Sequence, residues 1–380
     1  MLNGALLVWS GAVAATSAWA VARSRRPVRR ASVAPGRVLL VRPCAGYQPW
    51  LPRTLGSSAA AHPRLSAAVR FAVAHPGDGA ADVARAVASG LVRAGIDAGV
   101  DFTHPDGQNR KAAQLDRVLE DEPHAEIVIV ADSDVDLDEE VLEALLVPLQ
   151  FDPGVAASWA IPIEVEPVTF GDRASASVLD ASLHSFALLS ALDHQGMVGK
   201  LFAVRTARLR EVGGFGALSN TLGEDVELAR RLRARGFIVA LAASPARSLA
   251  RGRSWGDARG RYARWIHVMR GQRPLLLPSY PALLAATPLL VVAGVLGSLC
   301  GGWGGVLAAT IACLARLAVA IAARWRTGRP MAPGALAGDA VLADLLLLSA
   351  FVQALSSHRT TWRGRILRHT GRGRIQEVRH

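Results

Sequence analysis

Lysine is all but missing from this sequence. Of 43 basic residues in 380, only Lys111 and Lys200 are lysines; the other 41 are arginine. Charged residues of either sign are also scarce, at 19% against about a quarter in an average soluble domain. Disorder needs low hydrophobicity with high charge, which 51% apolar residues exclude. Three cysteines, Cys44, Cys300 and Cys313, cannot build a secreted disulfide framework. What is abundant is Ala, Gly and Arg, the composition of a GC-rich bacterial genome. The formal net charge is +12 and the mean hydropathy +0.25. A chain this apolar and this basic is not an ordinary cytosolic enzyme. Its length allows roughly two domains, or one large domain with membrane segments.

The position of the apolar residues decides between nucleic acid and membrane. Leu2 to Ala22 is nearly uninterrupted, long enough to cross a bilayer's hydrocarbon core. Arg23, Arg25, Arg26, Arg29 and Arg30 follow it. A cleaved signal peptide carries its charge before the apolar stretch, so this reads as an uncleaved anchor with its C-terminal side in the cytoplasm. Two further apolar runs, about 280–299 and 305–323, could each span, and the second ends in Arg324, Arg326 and Arg329. A third, about 335–355, contains Asp339 and Asp344 and precedes a tail with Arg359, Arg363, Arg365, Arg368, Arg372 and Arg374. A full third span would put that tail outside, against the positive-inside rule. An interfacial or re-entrant helix is therefore expected there. The arginines cluster beside apolar spans and no aromatic-rich binding element appears, so no nucleic-acid partner is expected.

Between these segments the character changes. Arg37–Arg42, Val69–Val73 and Glu126–Ala131 read as strands buried on both faces, alternating with Ala-rich helices near 79–95 and 109–119. Such alternation predicts a parallel or mixed sheet covered by helices, with ligands beyond the carboxyl ends of the strands. The expected division is 1–30 for the anchor and its basic flank, 31–274 for the α/β domain, 275–358 for membrane helices and 359–380 for a basic cytoplasmic tail.

Four stretches carry chemistry. The strand ending at Ala131 runs into Asp132-Ser-Asp134, whose carboxylates point to one side. Hard Mg²⁺ or Mn²⁺ is held by one or two such carboxylates plus substrate phosphates, although a solvated acidic turn has the same pattern. Glu224-Asp225 opens a helical stretch; either the helix dipole favours acids there, or one is a general base. Arg261 and Arg264, beside Trp265 and just before the apolar runs, lie three apart on a helix, as a diphosphate clamp or as an ordinary membrane-proximal helix would have them. Gly107-Gln-Asn109-Arg-Lys111 begins another helix, where backbone N–H groups attract anions. A lysine there, and Lys200 in Val198-Gly-Lys-Leu, stand out in an arginine-using chain; two cases do not separate role from chance.

In this order the four stretches resemble the inverting glycosyltransferases related to cellulose and hyaluronan synthases. The resemblance is strongest to the ceramide glucosyltransferase branch (family 2/21 type) and its bacterial relatives, including hopanoid-associated glycosyltransferases. Val212-Gly-Gly-Phe215, the strand and loop Leu39–Gly46 and the tail Trp362-Arg-Gly-Arg365 match as well, so the likeness runs from about 38 to 365. One departure stands out: where the family places a nucleotide-contacting Asp after its second strand, this chain has His75, with Asp78 three residues on.

The resemblance implies a GT-A nucleotide-sugar-binding α/β domain with an N-terminal transmembrane anchor and C-terminal transmembrane or interfacial helices. It implies Mg²⁺ or Mn²⁺ on Asp132 and Asp134, with Asp225 as general base beside Glu224. Asp78, Asn109, Lys111, Asp132, Arg261, Arg264 and Trp265 would bind the donor. The partners implied are a nucleotide-sugar of the UDP-sugar type, a membrane lipid acceptor and the bilayer. The place implied is a bacterial inner membrane, multi-pass, with the catalytic domain cytoplasmic. A polysaccharide synthase would need more spans, and a catalytically dead scaffold has only His75 in its favour.

Overall fold

A computed structural model describes residues 2–24, 36–193, 196–249, 251–299, 303–357, 359–362, 365–369 and 374–377. Arg25, Arg26, Arg29, Arg30, Cys300, Arg363 and Arg372 lie outside the described residues.

The three predicted strands form, as β1 (Val38–Cys44), β2 (Ala68–Val73) and β4 (Ile127–Ala131), with β3 (Ala98–Phe102) at the edge. Nine further strands follow: β5 (Val135–Asp136), β6 (Val155–Trp159), β7 (Pro162–Glu164), β8 (Leu201–Arg205), β9 (Ile238–Leu241), β10 (Ala246–Ser248), β11 (Arg359–Trp362), β12 (Arg365–His369) and β13 (Ile375–Glu377). The main sheet has the order β3-β2-β1-β4-β8-β6-β9. Strands β3, β2, β1 and β4 are parallel; β8 runs antiparallel to both β4 and β6, and β9 is parallel to β6. Every residue of β1 and β4 is buried, because helices cover both faces. Leu40, Ile129 and Phe71 pack on one face and Leu39, Val128 and Phe202 on the other.

Arg42 is fully buried within β1. Its guanidinium donates to the carbonyl oxygens of Asp132 at 3.1 Å and Val135 at 2.7 Å, and to Thr54 O and Ser58 Oγ. Burial lowers its pKa to about 10, although nearby carboxylates oppose the shift. These bonds hold the loop that carries Asp132 and Asp134 at the carboxyl end of the sheet.

Among the described residues, three helices are long and apolar enough to cross a membrane: Leu2–Arg23, Trp303–Thr327 and Pro333–Ser356. The run expected as one span over 280–299 is instead a bent pair, Pro274–Leu284 and Ala286–Leu299, at 55°. Pro288 has no N–H for the Leu284 carbonyl and its ring would clash with that carbonyl in a continuous helix, which accounts for the break. Gly294 and Gly305 lie so close that a Cβ on either would fall 2.5 Å from the other's carbonyl oxygen. Asn3 abuts Gly297 and Gly304 at one end of this bundle, whereas Ala20 packs with Val178, Val319 and Ala323 at the other.

The third helix, Pro333–Ser356, is unbroken. Its carboxylates are matched by arginines: Asp344 by Arg316 at 2.9 Å, and Asp339 by Arg324 and by Arg173 at 2.7 Å. Arg270 donates to Ala354 O at 3.0 Å near its other end. Beyond it, the tail forms the small sheet β11-β12-β13, and Leu367 and Ile375 pack on Leu222 and Val268 of the α/β domain.

Candidate active site

The site lies where the carboxyl end of β4 meets the beginnings of β8 and of two helices, Arg110–Asp121 and Glu224–Ala234. Asn109 caps the first helix, its Oδ1 accepting the Ala112 N–H at 3.2 Å. Its amide then reaches across to Glu224 Oε2 at 2.9 Å and Thr221 O at 2.8 Å. Two turns of sequence separated by 115 residues are thereby fastened together.

Lys111, on the first turn of the Asn109-capped helix, is the hub. Its ammonium pairs with Asp132 Oδ1 at 2.7 Å and Glu224 Oε1 at 3.3 Å, and donates to Gly199 O at 2.7 Å. Burial would lower its pKa, but Asp132 and Glu224 outweigh burial and raise it, so the group stays charged. Lys200 pairs with Asp132 Oδ2 at 3.5 Å and makes a closer ion pair with Asp134 Oδ2. Both lysines of the chain thus meet at the strand-end carboxylates. Asp134 is 7% exposed, and Ser248 Oγ donates to its Oδ2 at 2.9 Å. Burial would raise this carboxyl, yet Lys200 and then Arg261 hold it well below the usual carboxylate range. Its Oδ1 is buried without a hydrogen-bond partner.

Asp225 accepts the Gly199 N–H at 2.6 Å and its own helix's Val226 N–H at 2.9 Å. Burial, reinforced by the neighbouring Glu224, pushes its carboxyl up to about 6 in spite of Lys111. A carboxyl raised towards neutrality is the property a general base requires.

Arg261 lies on the helix Trp255–Gln272, beneath the acidic pair. It forms an ion pair with Glu164, which also accepts Arg253 at 2.9 Å on both oxygens. Burial opposes ionisation of Glu164, but Arg261 and Arg253 bring its carboxyl down to about 2. Arg261 Nη2 is buried without a hydrogen-bond partner. One turn on, Arg264 is half-buried, and Trp265 stacks on His184 at 5.8 Å and meets Phe186 and Tyr262 edge-on. Tyr280, against His184, continues this aromatic series to Phe351 of the third apolar helix.

Asn109, Lys111, Asp132, Asp134, Glu224 and Asp225 therefore form one cluster. Asp78 belongs to a different contact: its Oδ1 accepts the Gly46 and Ala80 N–H groups at 2.7 and 2.9 Å. It ties together the loops after β1 and β2, while His75 is exposed. Glu164, Arg253, Gly199 and Ser248 were not legible as site residues, since none sits in a recognisable motif.

The family model described as "Glycosyl transferase family 21" matches residues 4–375. The chain belongs to that family. It is a glycosyltransferase, and its sheet is that of the GT-A fold. No curated protein sequence gives a significant match. Among solved structures, it is similar to the mannosyltransferase PcManGT from Pyrobaculum calidifontis, solved with GDP-Man and Mn²⁺. That match has 17% identity and a TM-score of 0.52, and covers 93% of this chain and 99% of the other. A second, glucosyl-3-phosphoglycerate synthase from Mycobacterium tuberculosis, gives 17% identity and a TM-score of 0.41 over 64% of this chain and 84% of the other.

Proposed function

We propose that this glycosyltransferase moves a sugar from a nucleoside-diphosphate donor, a UDP-sugar, to the hydroxyl of a membrane lipid, with inversion at the anomeric carbon. The observation that carries this reading is the place of Asp225. It is a half-buried carboxyl pushed up to about 6, at the same end of the sheet as the Asp132–Asp134 pair.

The donor set fits a hard cation: two carboxylates, of which Asp134 Oδ1 is buried and unpartnered. Asp132 and Asp134 would hold Mg²⁺ or Mn²⁺, which when bound offsets charge on the leaving diphosphate. Lys111, Arg261 and Arg264 supply fixed positive charge for the same anion. Asp225 takes the acceptor's hydroxyl proton as that oxygen bonds to the anomeric carbon. The bond from the carbon to the diphosphate oxygen breaks on the opposite face, so a single displacement inverts the centre. Asp78 holds the Gly46 loop over the carboxyl ends of β1 and β2, where the nucleoside would lie.

The acceptor class follows from the aromatic series, Trp265, His184, Tyr280 and Phe351, which connects the site with the apolar helices. We read Leu2–Arg23, the bent pair and Trp303–Thr327 as inserted in a bacterial cytoplasmic membrane, with the end near Asn3 across it. Arg23, Arg324 and Arg326 then stay on the cytoplasmic side with the α/β domain. The helix Pro333–Ser356 lies along the interface. Its contacts at Asp339 and at Ala354 both reach the domain, about 22 Å apart at 1.5 Å per residue.

The test is direct. Purified protein in detergent, given labelled UDP-sugars and a bacterial lipid extract, should yield an organic-extractable glycolipid, and EDTA should abolish it. Failure to label any lipid would defeat the acceptor assignment, and full activity in EDTA the metal assignment.

A further inference from the structure

Lys200 stands immediately before β8, whose antiparallel pairing with β4 places it beside Asp132. The backbone fixes this closely: the Asp132 N–H donates to Lys200 O at 2.8 Å. From there the ammonium reaches both strand-end carboxylates, Asp134 closely and Asp132 at 3.5 Å. Lys111 already occupies the other Asp132 oxygen. A cation approaching the buried, unpartnered Asp134 Oδ1 with Asp132 as second ligand therefore meets a positive charge already in place.

A plain structural ion pair would be expected to use arginine here. The chain uses arginine at 41 of its 43 basic positions, and the buried carboxylates Glu164, Asp180, Asp339 and Asp344 are paired with arginines, whereas buried Asp172 is held by backbone N–H groups. A guanidinium grips a carboxylate through a rigid fork, whereas an ammonium is a point charge on a flexible stem. Only the latter can withdraw without dismantling its surroundings.

We propose that Lys200 is an intramolecular stand-in for the divalent cation, a positioning residue that neutralises Asp132 and Asp134 in the metal-free protein. Metal binding displaces it, so Lys200 sets the cation concentration at which the site fills. The inference rests on the reading of Asp132 and Asp134 as cation ligands. Four carboxylates, Asp132, Asp134, Glu224 and Asp225, share the two ammonium groups.

The measurement is Mn²⁺ binding to the full-length protein in detergent, without donor, read from loss of the free-Mn²⁺ electron paramagnetic resonance signal. Lys200→Met should bind Mn²⁺ about tenfold more tightly than the unaltered protein. Lys200→Arg, which keeps the charge, should bind no more tightly. Mn²⁺ should also raise the thermal midpoint more in Lys200→Met, as mass action requires. If Lys200→Met fails to fold, Lys200→Gln provides the neutral variant, retaining a hydrogen-bond donor. Equal affinity in the unaltered and neutral proteins, or equal tightening by Arg, overturns the proposal while leaving the metal site standing. Absence of Mn²⁺ binding in every variant overturns both.

Discussion

Asp225 accepts the N–H of Gly199 at 2.6 Å, and the carbonyl of that same glycine receives Lys111 at 2.7 Å. One residue thus fixes the carboxylate proposed as base and the ammonium that moderates its charge. The base works ionised, and its carboxyl is raised to about 6. The expected profile of kcat/KM against pH is therefore flat above neutrality and falls as pH drops through about 6. Asp225→Asn should lose about 10²- to 10⁴-fold in kcat. A fully active Asn variant, or an unchanged acid limb in it, would remove Asp225 from the role.

Glu164 offers a second test because it is buried and faces two cations, Arg253 and Arg261. Glu164→Gln leaves Arg253 and Arg261 charged without their carboxylate, a loss of about 3–5 kcal/mol for a broken buried pair. The thermal midpoint should fall, and donor KM should rise as Arg261 moves. In the unaltered protein Glu164 is depressed from its ordinary 4.5 to about 2. The stability it contributes is complete above about pH 4.5 and is lost only as pH falls towards 2. The Gln variant should therefore show a smaller stability loss in that acid window.

Gly223 sets where the helix of Glu224 and Asp225 begins. Its φ is +74°, and a Cβ there would fall 2.6 Å from Val268 Cγ1. Gln272 donates to Leu222 O at 2.9 Å, which leaves the turn little room to yield. Gly223→Ala should cost about 1–3 kcal/mol in backbone strain, beyond any steric cost. Because Glu224 and Asp225 follow directly, kcat should fall by more than the change in thermal midpoint alone would suggest. An Ala variant with unchanged kcat would show that the turn does not position Asp225.

The parts of this site legible in the sequence are those carried by local grammar. Asp132 and Asp134 end a buried apolar run, Asn109 precedes a helix as a cap should, and Glu224-Asp225 opens another helix. Lys111 and Lys200 stood out through rarity, but nothing local says that residues 89 positions apart converge; the β4–β8 pairing does that. Glu164 was invisible because its partners Arg253 and Arg261 are 89 and 97 residues away. The third apolar run, expected as an interfacial or re-entrant helix because a full span would put the basic tail outside, carries the carboxylates Asp339 and Asp344. Arg316, Arg324 and Arg173 pair with them from other helices, and only the tertiary structure brings these arginines within reach.

Those pairings bear on the arrangement proposed for the membrane, which cysteine accessibility can decide. With Cys44, Cys300 and Cys313 replaced, Leu299→Cys, at the exposed end near Asn3, should react with a membrane-impermeant thiol reagent only from outside intact cells. Gly328→Cys and Ser357→Cys flank the third helix and should react only after the membrane is opened. If Pro333–Ser356 crossed the bilayer, positions 328 and 357 would label from opposite sides. That result would also separate the tail from the α/β domain, yet Glu377 N–H donates to Gln108 Oε1 at 2.9 Å and Ile375 N–H to Asn220 O at 3.2 Å. Those contacts require the tail and the site loops to share one compartment. Labelling of both positions from the same side is therefore the outcome expected.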